Sequence, residues 1–272
     1  MKKLLYAVAF FGAFWLIGQY FGALVGFGAL LVVVAILMWN RRALILTQLA
    51  SQAYYIKGNV EKGEKLYKMA YKTGLMNAQS KISYSSFCLR ENRFDKGRRL
   101  LNEVINSSRT STEDKINAKH NLAVLTWKEG NLEEAIKIAT IVHKQMPSTN
   151  TYGTLGVLLL ENAKKEKNYT ETLEFLLEAY EYNEDDKTIA DNLGELYYIT
   201  GQYVKAKEIY SKLLQKQLFT PMPYYNYALV LKNMGDTDGA RENFEKALNC
   251  RFTSVLTVTK EMVRQEIDNL NQ

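Results

Sequence analysis

The sequence predicts an all-helical protein in which an apolar N-terminal segment precedes a long series of repeated helix pairs. Residues 4–40 contain no charged side chain. Beyond them, three stretches of the chain carry the same residue types at identical spacing. The 272 residues include only 3 Pro and 16 Gly, fewer than the tight turns of a strand-rich protein usually require. Together these observations favour helices throughout the chain.

The apolar N-terminal segment is too long for one simple membrane span. A single span needs about 20 apolar residues to cross a core of roughly 30 Å, whereas the uncharged run as one helix would reach about 54 Å. We therefore predict a transmembrane anchor in residues 1–42, folded as a helical hairpin with helices at about 4–18 and 22–40. One strongly tilted span is an alternative. A cleaved signal peptide is disfavoured, because its apolar core is only about 7 to 15 residues long.

Basic residues flank the apolar run on both sides. Lys2 and Lys3 precede it, and Arg41 and Arg42 follow it. Since basic residues near membrane segments favour the cytoplasmic side, a hairpin allows both pairs to stay inside. We expect residues 4–40 and these four cations to contact membrane lipid, with the rest of the chain in the cytoplasm. The short basic start and the compact organisation of the chain favour a bacterial source.

Two further features concern the geometry of the anchor. Gly18, Gly22 and Gly26 are spaced four residues apart, and small residues at that spacing allow close helix approach in lipid. This stripe predicts either self-association or a tight intramolecular hairpin, unless it is only the usual glycine content of membrane helices. No Gly or Pro occurs between Gly28 and Gly58, so we expect one unbroken helix over residues 29–57.

The remainder of the chain shows an internal repeat. In three stretches an Asn is followed two residues later by a small residue, seven residues after that by Gly, and five residues later again by Ala. The matched residues are Asn121, Ala123, Gly130 and Ala135, then Asn192, Gly194, Gly201 and Ala206, then Asn226, Ala228, Gly235 and Ala240. The pattern closely resembles the tetratricopeptide repeat, a unit of about 34 residues that folds as a helix pair.

This resemblance implies a tetratricopeptide-repeat α-solenoid of about six helix-turn-helix units over residues 44–254. The eighth position of each unit is small, which allows its two helices to approach closely, and the twenty-fourth is apolar. Helical spacing of apolar residues predicts a capping helix at 255–272. The units start near Leu44, Ala78, Ile116, Thr149, Lys187 and Pro221.

The units depart from the pattern in two places. Four extra residues, around 112–115, separate the second and third units, and the fourth unit carries four more around 163–167. For the latter we expect one added helical turn or a longer loop. Glycine is expected to end the first helix of several units in the left-handed conformation, and Asn92 is expected to do the same in the second unit.

No catalytic, metal or cofactor motif is present in the sequence. The chain lacks a phosphate-binding glycine loop and a serine nucleophile elbow, and His120 and His143 are not at metal-ligand spacing. Cys88 and Cys250 are isolated, and we expect both to behave as small apolar residues. We therefore predict that the protein is not an enzyme and needs no cofactor.

Binding of proteins is what the resemblance implies instead. In tetratricopeptide-repeat proteins the first helix of each pair lines a concave groove, where extended peptides or helices often bind. Trp127 is the first candidate anchor, although it could equally pack between units. The Asn at the sixth position of three units predicts a ladder that clamps a peptide backbone, although Asn is also common there in plain repeats. The groove positions are Tyr55, Leu89, His120, Asn121, Val124, Trp127, Asn192, Glu195, Tyr198, Tyr225, Asn226 and Leu229.

Charge is unevenly distributed along the repeats. Residues 41–115 carry 15 basic and 7 acidic residues, whereas residues 149–186 carry 3 basic and 9 acidic residues. The basic part adjoins the membrane segment, where it is suited to anionic lipid, unless it is an ordinary solvated face. Because no basic stripe with interleaved aromatics crosses the groove, nucleic acid is not an expected partner.

We therefore predict a membrane-anchored interaction scaffold that binds partner peptides or helices in its groove on the cytoplasmic side. The alternative is an accessory or regulatory subunit of a membrane enzyme complex that contacts the complex through the transmembrane hairpin.

Overall fold

The computed structural model describes the backbone of residues 2–270 and the side chains of residues 11–270. The side chains of Lys2 and Lys3, for which we predict lipid contacts, are outside this range. The last two residues of the predicted capping helix are outside it as well. All regular structure within the described range is helical, as the sequence predicts. The chain divides into two compact units, residues 1–83 and residues 84–272.

The N-terminal unit begins with two apolar helices, α1 (Lys2–Phe21) and α2 (Ala23–Asn40). Gly22 separates them with a φ of 93°. A Cβ added to Gly26 would lie 2.8 Å from the Cα of Gly18, closer than real Cβ atoms come. The two glycines therefore allow α1 and α2 to contact each other through their backbones, which corresponds to the intramolecular interpretation of the glycine stripe.

Helix α2 is the one helix in the described part of the chain that is long and apolar enough to span a membrane. Its large apolar side chains are exposed, including Leu24 at 88% and Trp39 at 66%. Such exposure is costly in water.

The predicted unbroken helix over residues 29–57 is wrong. Helix α2 ends at Asn40, and α3 (Arg42–Ser51) follows after Arg41, which has φ −101° and ψ 9°. The Arg42 guanidinium donates a 2.7 Å hydrogen bond to the main-chain oxygen of Trp39. The Arg42 side chain thus donates to a carbonyl oxygen that has no partner within the helix. The chain turns here without glycine or proline.

The first repeat completes the N-terminal unit. Helix α3 runs into a π-helical turn at Gln52–Ile56 and packs against α4 (Val60–Lys72). Gly63, at the twentieth position of the unit, lies against Tyr54, whose Cβ would be 3.1 Å from an added Cβ. Close approach of the two helices therefore depends on a small residue here.

The C-terminal unit contains the remaining helix pairs. Helix α5 starts in the N-terminal unit and continues across the division between the units. The pairs are α5 (Ala78–Arg90) with α6 (Phe94–Ile105), α7 (Thr112–Lys128) with α8 (Leu132–Gln145), α9 (Thr149–Glu166) with α10 (Thr170–Tyr182), α11 (Lys187–Ile199) with α12 (Tyr203–Leu213), and α13 (Met222–Asn233) with α14 (Thr237–Leu248).

The two insertions both lengthen first helices. Helix α7 begins at Thr112, so the extra residues before the third unit form its first turn. Helix α9 continues to Glu166, which settles the prediction for the fourth unit in favour of an added helical turn. Residues that end the first helices also behave as expected: Gly130 has φ 97° and Asn92 has φ 57°, both in the left-handed region.

Close packing within each pair follows the predicted small and large positions. A Cβ added to Gly194 would lie 2.7 Å from the ring of Tyr210, so α11 and α12 approach closely at this point. Tyr210 and Phe244, at the apolar twenty-fourth position of their units, are completely buried. The alternation of a small and a large residue therefore sets the distance between paired helices.

The capping helix is shorter than predicted. Helix α15 (Lys260–Asn269) begins five residues after the expected start at Val255. Thr259 precedes it, and the Thr259 Oγ1 accepts a 3.2 Å hydrogen bond from the main-chain N–H of Met262. A threonine in this position caps the helix. Its buried Val263 packs against α13 and α14, while residues 250–259 before it are not helical.

Among the first helices of the C-terminal unit, α9, α11 and α13 lie closer together than successive second helices. Helix α9 contacts α11, and α11 contacts α13, whereas in the described chain the second helices make far fewer contacts with one another. A helix stack curves toward the side where its helices are closest. We therefore call the surface of α5 from Tyr84 onward, α7, α9, α11 and α13 the groove.

Candidate functional site

Most of the predicted groove residues are placed on the groove helices of the C-terminal unit. Tyr55 is the exception, because it lies in the π-helical turn of the N-terminal unit, where it is half exposed and lines a pocket of about 650 Å³. Val124, Glu195, Tyr198 and Leu229 are partly exposed on the groove helices. Leu89 and Tyr225 are buried, at 6% and 8% exposure. Little of either side chain is therefore exposed to a partner.

The Asn residues at the sixth position are engaged within the protein. The Nδ2 of Asn121 donates to Ser86 Oγ at 2.8 Å, that of Asn192 to the Gly153 main-chain oxygen at 3.0 Å, and that of Asn226 to Asp191 Oδ1 at 3.1 Å. Each bond reaches the first helix of the preceding unit. Asn192 and Asn226 are also buried. The predicted peptide ladder is therefore corrected for these two residues, whose amides join successive units.

Replacing Asn192 by alanine tests this structural role. We expect the free energy of unfolding to fall by roughly 1–3 kcal/mol, because the change removes a buried hydrogen bond. The change also opens a void beside Gly156, which packs directly against the Asn192 amide. Denaturant unfolding followed by circular dichroism measures the loss. The matched control is Asn150→Ala, since Asn150 is exposed on α9. Equal stability of the two variants would contradict the role.

His120 joins the third and fourth repeats in a similar way. Its Nε2 lies 2.8 Å from Thr154 Oγ1 and 3.3 Å from the Asn150 main-chain oxygen. Burial lowers the pKa of His120, against the opposing effect of the Asn150 hydrogen bond. The imidazole is therefore neutral at physiological pH and holds α7 against α9.

Trp127 packs between the third and fourth repeats. This packing was the alternative to its predicted role as an anchor for a partner. Trp127 lies against the apolar cluster that includes Ala123, Ala135 and Leu155. The Nζ of Lys128 lies 3.8 Å from the centre of the indole ring. Burial lowers the pKa of Lys128 to about 8, with Glu161 opposing the shift. Partner binding by the exposed part of Trp127 stays a prediction.

A charged row crosses the middle of the groove. The Lys164 Nζ on α9 lies 2.6 Å from Glu161 and 2.5 Å from Glu195 on α11. Burial opposes the charge of Lys164, but the two carboxylates outweigh it and raise the pKa of the ammonium group. Lys164 was not among the predicted site residues. The sequence did offer a signal for it, because Lys164 lies in the insertion around residues 163–167 that forms the added turn of α9.

Asp191 is a second group that sequence reasoning missed. It is buried on α11, and its Oδ1 lies 3.1 Å from the Tyr210 hydroxyl and 3.1 Å from the Asn226 amide. Burial, reinforced by Glu195, raises the pKa of Asp191 to about 7. Burial and the nearby Asp191 also raise the pKa of Tyr210 well above its usual value. The carboxyl therefore changes its charge near neutral pH.

The segment before α15 also lies against groove helices, which the sequence did not predict. Ser254 bonds to main-chain oxygens near the end of α5, and the Lys128 Nζ donates to the Leu256 main-chain oxygen at 3.3 Å. An irregular polypeptide segment from the C-terminal end thus contacts first helices at the other end of the same unit.

The remaining titratable residues show no sign of a metal centre. No group of three or more His, Cys, Asp or Glu side chains in the described range is arranged to hold a metal ion. Cys88 is buried and Cys250 is half-buried, and neither forms a disulfide.

Comparison with known proteins identifies the repeats. The family model for the tetratricopeptide repeat matches residues 223–250, which contain α13 and α14. No curated protein gives a significant match to the chain.

Solved structures extend the similarity to the rest of the chain. A tetratricopeptide repeat protein from Parabacteroides merdae matches with a TM-score of 0.65 and 14% identity, over 100% of both chains. A thermophilic protein of this kind from Thermus thermophilus matches with a TM-score of 0.57 and 18% identity, over 72% of this chain and 99% of its own. The pilF protein of Pseudomonas aeruginosa matches with a TM-score of 0.54 and 14% identity, over 83% and 97%. The chain therefore contains a tetratricopeptide repeat in its sixth helix pair and has the all-helical fold of tetratricopeptide-repeat proteins.

Proposed function

We propose that this protein is a membrane-anchored scaffold that binds extended segments of partner proteins in the groove of its C-terminal unit. The fold is one that serves protein–protein interaction. The observation that carries the proposal is the irregular segment already hydrogen-bonded to α5 and α7. It indicates that this surface accommodates an extended chain through side-chain and main-chain contacts.

The partly exposed groove residues are suited to the same task. Tyr198 on α11 is half-buried, and its hydroxyl lies 3.4 Å from the Asn233 amide of α13. Glu195 and Lys164 form a charged row one turn away. Aromatic residues with neighbouring charges are common at binding surfaces, because the ring provides contact area at little entropic cost.

Membrane anchoring by α2 is part of the proposal. Its exposed apolar side chains support it, and so does the arrangement at its C-terminal end. The Arg42 guanidinium lies 4.4 Å from the centre of the Trp39 ring, and Trp is favoured where a helix leaves the bilayer. Arg41 and Arg42 support a cytoplasmic location of the repeats, because basic residues beside a membrane segment favour the cytoplasmic side.

Site-specific photocrosslinking in cells tests the groove. We expect a photoreactive amino acid in place of Tyr198 to give discrete adducts with partner proteins. The matched control is the same amino acid in place of Val204, which is 64% exposed on the second helix α12 and outside the groove. Adducts of the same kind and amount from both positions would exclude the groove as the binding surface.

The same cells provide the test of anchoring. We expect the chain to remain in the membrane fraction after alkaline carbonate washing, and the repeats to become accessible to protease only when the inner side of the membrane is exposed. Release by carbonate, or digestion from outside, would contradict the anchoring or the orientation. The alternative function, a subunit that contacts a membrane enzyme through α1 and α2, predicts adducts from positions in α2 instead.

A further inference from the structure

The connection between α14 and α15 is longer than the connections between successive helix pairs. Asn249 to Thr259 separate these two helices, whereas Leu214 to Pro221, the next longest of these connections, separate α12 from α13. A short turn would suffice to place α15 against α14. We call residues 250–259 the strap, because this segment extends to the opposite end of the C-terminal unit before α15 begins.

The strap hydrogen-bonds to the end of α5 through Ser254. The Ser254 Oγ donates to the Leu89 main-chain oxygen at 2.5 Å, and the Ser254 main-chain N–H donates to the Arg90 main-chain oxygen at 3.3 Å. Carbonyls in the last turn of a helix have no partner within the helix. Ser254 therefore satisfies acceptors that any bound peptide with a free N–H and a hydroxyl could use.

Two cations add to these contacts. Arg251 of the strap forms an ion pair with Glu91, with a nitrogen–oxygen distance of 3.3 Å. The Lys128 Nζ of α7 donates to the Leu256 main-chain oxygen. The groove thus contributes one anion, one cation and two carbonyls, and the strap contributes an Arg three residues before a Ser.

The strap is anchored in an apolar cluster by Val258 and Phe252 and held more weakly at Arg251 and Ser254. Val258 is 6% exposed and belongs to the apolar cluster of α13, α14 and α15. Residues 251–257 are only half-buried, and both partners of the Arg251–Glu91 pair are partly exposed. Exposed ion pairs and single hydrogen bonds stabilise weakly. The contacts of Arg251 and Ser254 with the end of α5 can therefore open while α15 stays in place.

We propose that the ends of α5 and α7 form a binding site for an extended peptide with an Arg three residues before a Ser or Thr, and that the strap occupies this site in the absence of a partner. The proposal rests on the proposed function of the groove and identifies the chemistry of its ligand. Since a tethered segment has an effective concentration on the order of millimolar, a free partner segment competes only when its own affinity is higher or the strap is weakened.

Binding of a fluorescent peptide to the full-length chain in detergent tests the proposal. The probe is a synthetic peptide with the sequence of residues 249–259. We expect it to bind the Arg251→Glu variant at least 10-fold more tightly than the wild type, because the variant's own strap is repelled by Glu91. The matched control is Arg264→Glu, which makes the same charge change at an exposed position of α15 and should bind the probe as the wild type does.

A charge exchange assigns the binding to this site. Glu91→Arg added to Arg251→Glu should remove the gained binding of the probe, because the reversed ion pair holds the strap again. A probe with Glu in place of its Arg should instead bind the single Glu91→Arg variant, whose own strap is repelled. Circular dichroism and thermal unfolding establish that each variant is folded. Equal binding of the probe to Arg251→Glu and to the wild type, or binding that is unchanged by Glu91→Arg, would overturn the proposal.

The outcome is separable from that of the proposed function. If the probe behaves as expected but photocrosslinking at Tyr198 gives no partner, the strap occupies a real peptide site and the scaffold function fails. If partner adducts form at Tyr198 in equal amounts in wild type and Arg251→Glu, while the probe never binds, the strap proposal alone fails.

Discussion

Replacing Gly194 by leucine is expected to destabilise the C-terminal unit by roughly 3 kcal/mol or more, because overpacking a close helix contact is costly. A Cβ at this position would lie 2.7 and 2.8 Å from two carbons of the Tyr210 ring. That ring is fully buried and held through its hydroxyl by Asp191. It therefore cannot move aside without breaking a buried hydrogen bond.

A double variant identifies the cause of this loss. Tyr210→Ala alone should cost about 3–5 kcal/mol, as expected for a large buried aromatic. Combined with Gly194→Leu, it should cost less than the sum of the two, because the leucine then enters the space left by the ring. Guanidinium unfolding followed by circular dichroism measures all three variants.

The matched control for Gly194→Leu is Val204→Leu on the exposed side of α12. It introduces the same side chain at a position with no close neighbour to displace, so its stability should equal that of the wild type. Additive losses in the double variant, or an equal loss in the control, would contradict the close contact between Gly194 and Tyr210.

Replacing Asp191 by asparagine is expected to remove most of a pH dependence of stability near neutrality. Burial raises the pKa of Asp191 from 3.8 to about 7. Between these pH values the folded protein keeps a proton that the unfolded chain has released. The free energy of unfolding therefore falls as pH rises from about 4 to about 7. At about 1.4 kcal/mol per pKa unit, the contribution is roughly 4 kcal/mol.

The asparagine variant can keep the hydrogen bonds of Asp191 but has no carboxyl group that titrates. An amide oxygen can still accept from the Tyr210 hydroxyl and the Asn226 amide, which both reach Oδ1. We therefore expect the variant to be more stable than the wild type at pH 8, and less stable or equal at pH 4. Unfolding curves at pH 4, 6 and 8 measure the difference.

The control for this prediction is Asp268→Asn, because Asp268 is exposed on α15. Its pH profile should match that of the wild type. Glu195 and Lys164 also lie near Asp191, and the carboxylate raises its pKa while the ammonium group lowers it. An Asp191→Asn profile parallel to that of the wild type over the whole range would contradict a raised pKa.

Much of the repeat architecture could be predicted from local residue types. Gly194 and Tyr210 are a small and a large residue at fixed positions of a unit, and their contact follows from the fixed geometry of a helix pair. Gly130 similarly marks a helix end, because its left-handed φ is easily adopted without a side chain. Such features depend on neighbours within one unit, so the sequence pattern contains them.

The candidate site was less predictable, because its residues are defined by contacts between units. Asn192 looks the same in the sequence whether its amide faces a ligand or Gly153. A tryptophan such as Trp127 is equally suited to packing between repeats and to anchoring a partner. Only the positions of Ala135 and Leu155 around it show that it packs. The break at Arg41 was missed, since it depends on a side-chain hydrogen bond rather than on glycine or proline.

The sequence by itself determined the helical repeat, the location of its six units and the apolar character of residues 4–40, because these depend on spacing and composition along the chain. Only the tertiary structure decided that Asn192 and Asn226 are internal, that Asp191 is buried beside Tyr210, and that Ser254 bonds to the end of α5. Each of these depends on groups far apart in the chain. Local periodicity cannot encode such contacts, because they arise only when successive helix pairs stack and curve.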